Sequence, residues 1–484
     1  MASSRSIETK HLIINLIRDI RFWIILFGLI RLFGITNPPL EVAHAWRQTT
    51  VTMVARNFYE VDSNILYPRI DISEDLTGIT GMEFPLLNYL IYIVSLLFGY
   101  SHWYGRLINL VITSLGCWYF YKLLKKYFSE QVSFCSTIFL IVSIWFSYAR
   151  KIMPDTFSMS LIITGMYFGS NYIEKASHSV RNLLLYSFLS FCGILSKLPS
   201  GFILSMFALL LLNKVFPLRR KIIFCLVSML YCVPVAFWYF YWVPYLVEEY
   251  GLWHFFMGKD IATGTIELFE NWSDTLAHFY DHAMKFIGFG VFIIGLIYCI
   301  IRKEKLILRI LAIGFFSFLI VMMKAGWTFS HHTYYIIPFV PIMALVAGYG
   351  VSSINKSQIR IVLLAAVILE NTLNQHNDFR IHEDRIPILK MEEVFDSFSQ
   401  PADLIVINSG KVPVPMYFAH RKGWIASNEQ LSNADFLNDI NIRGCKYVVI
   451  LKKVYGSDMQ MQFDKIIDNE DYTIYELPQA SALQ

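Results

Sequence analysis

Four stretches of the chain set ionisable side chains among tryptophan, tyrosine and proline. They are Glu41-Val-Ala-His44-Ala-Trp46-Arg47-Gln48; Tyr67-Pro68-Arg69-Ile70-Asp71 with Met82-Glu83-Phe84-Pro85-Leu86; Ala149-Arg150-Lys151-Ile152-Met153-Pro154-Asp155-Thr156; and Trp327 to Tyr335, which holds His331 and His332. Carboxylates and imidazoles can take and give protons, and arginine forks can hold anions. A divalent cation is a further reading, with Glu83 and His332 as ligands, because neutral imidazole is a common metal ligand. Adjacent histidines point in different directions, so His331 and His332 do not easily share one ion. Each residue also has a structural reading. Glu41 could sit at the positive end of the helix that follows, Asp155 could cap a helix after Pro154, and Glu83 could pair with Arg69 or Arg56. Trp23, Trp46, Trp103 and Trp327 suit interface anchors, while Tyr417, Arg421 and Trp424 in the polar tail are candidate ligand contacts.

The elements that must position these residues are membrane helices. Hydrophobic residues make up 55% of the 484-residue chain and charged ones 16%, against roughly 25% charged in soluble domains. Apolar runs such as Phe292–Ile301, Ile310–Met323 and Tyr334–Ala347 are nearly unbroken. Lipid offers no partner for backbone N–H and C=O groups, so such spans must be helices; a barrel would alternate. The net charge of +4 is small and scattered, and it gives no reason to expect a nucleic-acid partner. The seven cysteines show neither a disulfide framework nor zinc spacing. Arg5, Lys10, Arg18 and Arg21 precede the apolar Phe22–Ile35, and Asn37-Pro38-Pro39 stands where a cleavage site would be, so an uncleaved first span is expected.

Charge placement sets the topology. Clusters at Lys122/Lys125/Lys126, Lys175/Arg181, Arg219/Arg220/Lys221, Arg302/Lys303/Lys305/Arg309 and Lys356/Arg360 mark the cytoplasmic side. With the N-terminus cytoplasmic, residues 37–84, 149–156, 244–284 and 324–333 fall outside, as does everything after about 372. Counting leaves 85–99 and 103–121 as two apparent spans where charge permits an odd number of crossings, so 85–99 is re-entrant or interfacial, or one cluster is misassigned. The expected architecture is an all-α polytopic bundle of about 11 to 13 spans over residues 1–371, with long outside loops at 37–84 and 244–284. A small α/β domain follows over 372–484, with strands at Asp403–Ile407 and Lys446–Leu451. Thr49–Glu60 suits an amphipathic helix lying along the membrane.

Ala55-Arg56-Asn57-Phe58, then Glu83-Phe84-Pro85-Leu86 with Phe98-Gly99 and Arg106-Leu107, then Arg150 through Asp155 resemble, in that order, the C-type (GT-C) membrane glycosyltransferases related to protein O-mannosyltransferases and the lipid A aminoarabinose transferase. The resemblance covers most of the first 170 residues and, more weakly, 327–350. The His44-Ala-Trp46-Arg47-Gln48 run looks like a bacterial subgroup. The resemblance implies a sugar donor on polyprenyl phosphate, bound at the outer membrane boundary, and an inverting displacement onto a cell-envelope acceptor (lipid, glycan or protein). Such a reaction needs a carboxylate for the acceptor hydroxyl and cations or a metal for the phosphate. By this likeness Asp155, Glu41 and Glu83 are the catalytic candidates. The family's Asp-Glu pair in the first loop is absent, and Phe84 stands where one branch has a phosphate-binding lysine. Donor binding then falls to His44, Arg47, Gln48, Arg69, Arg150 and Lys197. The implied setting is a bacterial inner membrane with the C-terminal domain periplasmic.

Three other classes compete. A transporter or flippase of lipid-linked sugars needs polar residues deep in its spans and related halves; Arg31 and Lys197 are the main buried-looking charges, and no halves match. A lipid-linked polysaccharide ligase or polymerase has an arginine-rich central outside loop, whereas 244–284 holds Lys259, with Lys285 at its edge, and no arginine. A scaffold would ignore loss of the outside carboxylates. The topology is open to a direct check: an alkaline-phosphatase fusion at the C-terminus is expected to be active and a cytoplasmic fluorescent reporter there dark, and the reverse pattern overturns the charge assignment.

Overall fold

The computed structural model describes residues 15–175, 178–253 and 258–478; Arg5 and Lys10 lie outside them. The chain divides into two compact units. One takes residues up to 35, 106–239 and 256–377, and the other takes 36–105, 240–255 and 378 onward. The division therefore does not follow a single cut at 371/372: the first loop packs with the tail.

The first unit is helical. Among the described residues four helices are individually long and apolar enough to cross a bilayer, Tyr104–Leu124, Ser179–Ser196, Leu218–Tyr250 (whose residues from 240 count with the second unit) and Lys305–Ala325, and a pair bent by 89°, Trp272–His282 and Lys285–Ile301, passes as one. Leu226, Leu230, Val233, Phe316 and Ile320 are exposed, which is what contact with lipid requires of an integral membrane protein. Close helix approach depends on small residues. A Cβ on Gly348 would stand 2.4 Å from the Ser136 nitrogen. Leu86–Phe98 has 13 residues, a rise of about 20 Å against a hydrocarbon core of about 30 Å. It belongs to the second unit.

Helix breaks in the first unit expose carbonyls, and buried side chains satisfy them. Glu130–Val142 ends at Ser143. The Arg31 guanidinium donates to the Ile141 and Phe146 oxygens at 2.5 and 3.0 Å, and the Gln375 amide donates to those of Val142 and Ser143 at 3.1 and 3.0 Å.

The second unit is built on a five-stranded sheet. Its strands are β1 (Leu404–Ile407), β2 (Lys422–Ile425), β3 (Cys445–Leu451), β4 (Asp464–Asp468) and β5 (Tyr472–Glu476), ordered β2-β1-β3-β5-β4. β1 pairs in parallel with β2 and β3, and β5 runs antiparallel to β3 and β4. The two strands expected from sequence are β1 and β3, adjacent at the centre. One sheet face packs Ile405, Ile407 and Val449 with Met53, Val54 and Phe58 of the first-loop helix Ala45–Glu60; the other packs Val406, Val448 and Ile450 with Leu431 and Ile440.

The first-loop helix is not the half-exposed amphipathic element expected from its pattern. From Ala45 to Phe58 every residue except Trp46 is buried. Its threonines allow this, because Thr49, Thr50 and Thr52 donate their hydroxyls to carbonyls three or four residues earlier and so need no outside partner. The return loop then seals the β2 edge, with Gly423 N–H donating to the Asp71 oxygen at 3.1 Å and Glu74 N–H to the Gly423 oxygen at 2.9 Å. Gly423 has φ +142°, and a Cβ there would lie 1.9 Å from the Ile405 oxygen. Gly423→Ala is therefore expected to cost about 3 kcal/mol. Gly410→Ala, at φ +61° with nothing within 4 Å, is expected to cost about 1 kcal/mol. Thermal denaturation of the two variants in detergent checks the difference.

Candidate active site

In the first unit the site is set by a turn. Asn109 donates its amide to the Tyr148 and Lys151 oxygens at 3.0 and 2.7 Å, and Thr156 donates its hydroxyl to the Tyr148 oxygen at 3.0 Å. The Arg150 fork donates to the Phe33 and Gly34 oxygens at 2.6 and 2.8 Å. These bonds fix the entry to the Pro154–Glu174 helix, whose N-cap is Met153 with no side-chain capping bond. Asp155 sits in the first helical turn and is buried, and its Oδ2 has no hydrogen-bond partner among the described residues.

Its other oxygen faces a cation. Lys197 Nζ stands 3.5 Å from Asp155 Oδ1 and lies 5.4 and 5.6 Å from the Tyr334 and Tyr335 ring centroids. The backbone delivers Lys197 there by turning extended between the Ser179–Ser196 helix and the Leu198–Phe207 3-10 segment. Water is largely excluded, so the pair interacts more strongly than at a surface. At 3.5 Å it is still longer than a hydrogen bond, and Lys197 can turn to a second anion without first breaking one.

The second unit holds the other candidates. Arg47 and Glu83 form a buried ion pair with side-chain exposures of 6% and 4%. Glu83 thus pairs with neither Arg69 nor Arg56. Arg69 binds Asp62 at 2.8 Å, and Arg56 binds Asp71 at 2.9 Å. Buried Glu41 accepts from the Asn37 amide at 3.1 Å. His44 is the N-cap of the Ala45–Glu60 helix in the left-handed region, φ 62°, and Gln48 is buried in that helix's first turns.

Asp155 and Lys197 are thus brought together in one unit, and Arg47 and Glu83 in the other. Arg69 and Arg150 are engaged with an aspartate and with carbonyls respectively. His332 stacks on Tyr334, ring centroids 5.5 Å apart, and no group of three or more potential metal ligands occurs among the described residues. Glu83 belongs to the second unit and His332 to the first. Sequence reasoning missed Asn109 and the tyrosine pair beneath Lys197, although Tyr334 and Tyr335 adjoin the histidines that drew attention.

Residues 83–238 match the sequence model of the dolichyl-phosphate-mannose-protein mannosyltransferase family, a segment that contains both Asp155 and Lys197. Among solved structures the chain is similar to ArnT from Cupriavidus metallidurans in the apo state, with a TM-score of 0.62, 12% identity, and 94% of this chain and 97% of that one covered. The same protein bound to undecaprenyl phosphate matches with a TM-score of 0.57 at 12% identity, covering 94% and 98%. The Archaeoglobus fulgidus oligosaccharyltransferase in its apo form matches at 0.54 and 11% identity, covering 88% and 69%. The chain has the C-type membrane glycosyltransferase fold. A search of curated protein sequences found no match.

Within this C-type fold the Arg47–Glu83 pair has a measurable signature. Removing one partner of a buried pair leaves an uncompensated charge and typically costs about 3–5 kcal/mol. Arg47→Met and Glu83→Met are each expected to fall in that range, and the double variant is expected to lose clearly less than their sum. Melting curves of the four proteins decide whether the pair acts as a unit.

Proposed function

We propose that the protein moves a sugar from a polyprenyl-phosphate carrier to a cell-envelope acceptor on the outer face of a bacterial inner membrane, with inversion at the anomeric carbon. The observation that carries this reading is the buried Asp155 carboxylate, which has one oxygen near the Lys197 ammonium and the other without a hydrogen-bond partner. In the reaction the acceptor oxygen forms a bond to the anomeric carbon as the carbon–oxygen bond to phosphate breaks. The acceptor proton passes to Asp155, and the bonding electrons leave on the phosphate oxygen, where Lys197 neutralises the growing charge.

The donor class is supported by two likenesses of fold: ArnT was solved with undecaprenyl phosphate, and the archaeal oligosaccharyltransferase AglB with an inhibitory peptide and a dolichol-phosphate. Glu41 and Glu83 are the other carboxylates of this reading. Its donor-binding candidates are His44, Arg47, Gln48, Arg69 and Arg150, with Lys197.

Asp155→Asn keeps size and most hydrogen bonding but removes the charge. Turnover is expected to fall by roughly 10²-fold or more with membrane insertion retained, and the melting temperature is expected to fall as Lys197 loses its buried counter-charge. Mass spectrometry of envelope lipids and glycans from a deletion strain supplies the readout: the wild-type gene restores the missing modification, and the Asp155→Asn gene at equal expression does not. Restoration by Asp155→Asn, which would serve a helix terminus about as well as aspartate, removes Asp155 from the chemistry.

A further inference from the structure

The second unit contains a cavity of about 490 Å³, within the size range of small-molecule sites. Its lining includes Arg56, Glu60, Tyr100, Glu392, Tyr417 and His420, and the wall is built rigidly. Arg56 Cζ lies 4.5 Å from the Tyr417 ring centroid, and its guanidinium is held by Asp71 at 2.9 Å. The Tyr417 and Tyr100 hydroxyls are 2.8 Å apart, and Tyr100 donates to the Thr52 oxygen at 3.1 Å. None of these contacts belongs to the Asp155 site.

His420 organises the mouth. One ring nitrogen lies 2.6 Å from Glu392 Oε1 and the other 2.8 Å from Glu60 Oε2. Carboxylates only accept, so both nitrogens must donate, and only the imidazolium has two donors. Its pKa is accordingly raised to about 9, by the bond to Glu392 first and that to Glu60 second. Each carboxylate gives one oxygen to the ring and keeps a second, and the two side chains are 36% and 50% exposed.

The charge balance narrows the ligand. Asp71 offsets Arg56, and the single charge of His420 offsets one of the two glutamates, so one negative charge is left over. An anion would be repelled. A purely apolar ligand would strip water from the carboxylates and return nothing. Vicinal hydroxyls can donate to the remaining carboxylate oxygens while a ring's apolar face rests on Tyr417 or Phe418, and an amino group would add attraction. We propose that this cavity binds a sugar ring carrying no anionic group, and that it favours an amino sugar over a neutral one. The proposal concerns a site of its own in the second unit and goes beyond the transfer reading. It is tested by binding alone, so its fate is separate from that of Asp155.

The test is saturation-transfer NMR on the purified full chain in detergent, without donor, using methyl glucoside, glucosamine and glucuronate as probes. Transfer is expected to glucosamine and methyl glucoside, with glucuronate at background. Glu60→Gln and Glu392→Gln are each expected to weaken glucosamine about tenfold or more, the worth of one hydrogen bond to a charged group. Glu470→Gln, on an exposed turn, is expected to leave the titration unchanged. Transfer to none of the probes, equal transfer to glucuronate, or an unaltered glucosamine titration in both folded variants overturns the proposal. The comparison of probes on the wild-type chain needs no variant, so a variant that fails to fold leaves the proposal decided.

Discussion

The second unit is assembled around one buried carboxylate. Asp71 accepts from Arg56 at 2.9 Å and from Asn57 at 2.7 Å, and its backbone oxygen accepts from Gly423 at the sheet edge. Helix, return loop and sheet thus meet at one residue. Buried ion pairs are weak evidence for stability, but breaking one is expensive, so the contact fixes an arrangement more than it adds energy. Two consequences follow within the unit. The helix carrying His44, Arg47 and Gln48 is held where Arg47 reaches Glu83, and Arg56 is held over the Tyr417 ring that walls the cavity. The sheet edge, which would otherwise offer unpaired backbone groups, is closed by Asp71 and Glu74. Arg443 adds ion pairs to Glu74 and Asp75.

The first unit solves a related problem without a carboxylate. A helix broken within an apolar bundle leaves carbonyls with no water to accept from. Arg31, Arg150, Asn109 and Gln375 supply the donors. Arg31 had looked like a charge a transporter would need; its two carbonyl bonds give it a structural task. The break between Val142 and Pro154 is consequently a fixed turn, and a fixed turn is what a catalytic group on the next helix requires.

Much of this was legible in sequence, for identifiable reasons. β1 is wholly apolar, and β3 is apolar apart from its exposed Lys446, so both central strands are legible as strands. β4, with the sequence Asp464-Lys-Ile-Ile-Asp468, is an edge strand and carries too much charge to stand out. The first-loop helix was misread because threonine counts as polar although its hydroxyl can be satisfied by its own helix. Arg56 and Arg69 are sequence-plausible partners for Glu83, and only the fold reveals that Asp71 and Asp62 have taken them. The Glu60–His420 contact joins residues 360 positions apart, and no local pattern could have announced it. Lys197 was legible as a buried charge, but its partner was not.

The three candidate carboxylates differ in what they already hold, and this ranks them as proton acceptors. Glu83 is committed to an ion pair with a buried arginine, and taking a proton would leave that arginine uncompensated. Glu41 accepts from the Asn37 amide and so has part of its capacity engaged. Asp155 faces a single ammonium at 3.5 Å and keeps an oxygen without a hydrogen-bond partner. A buried carboxylate in that condition is costly for folding, and a bound hydroxyl would relieve the cost by donating to it. Lys197 is complementary: cation–π contacts with Tyr334 and Tyr335 hold its ammonium without occupying it with strong acceptors, which leaves it able to follow negative charge as that charge moves onto a phosphate. Of the proposed residues, this pair therefore has the most to gain from substrate, and the chemistry is best assigned there.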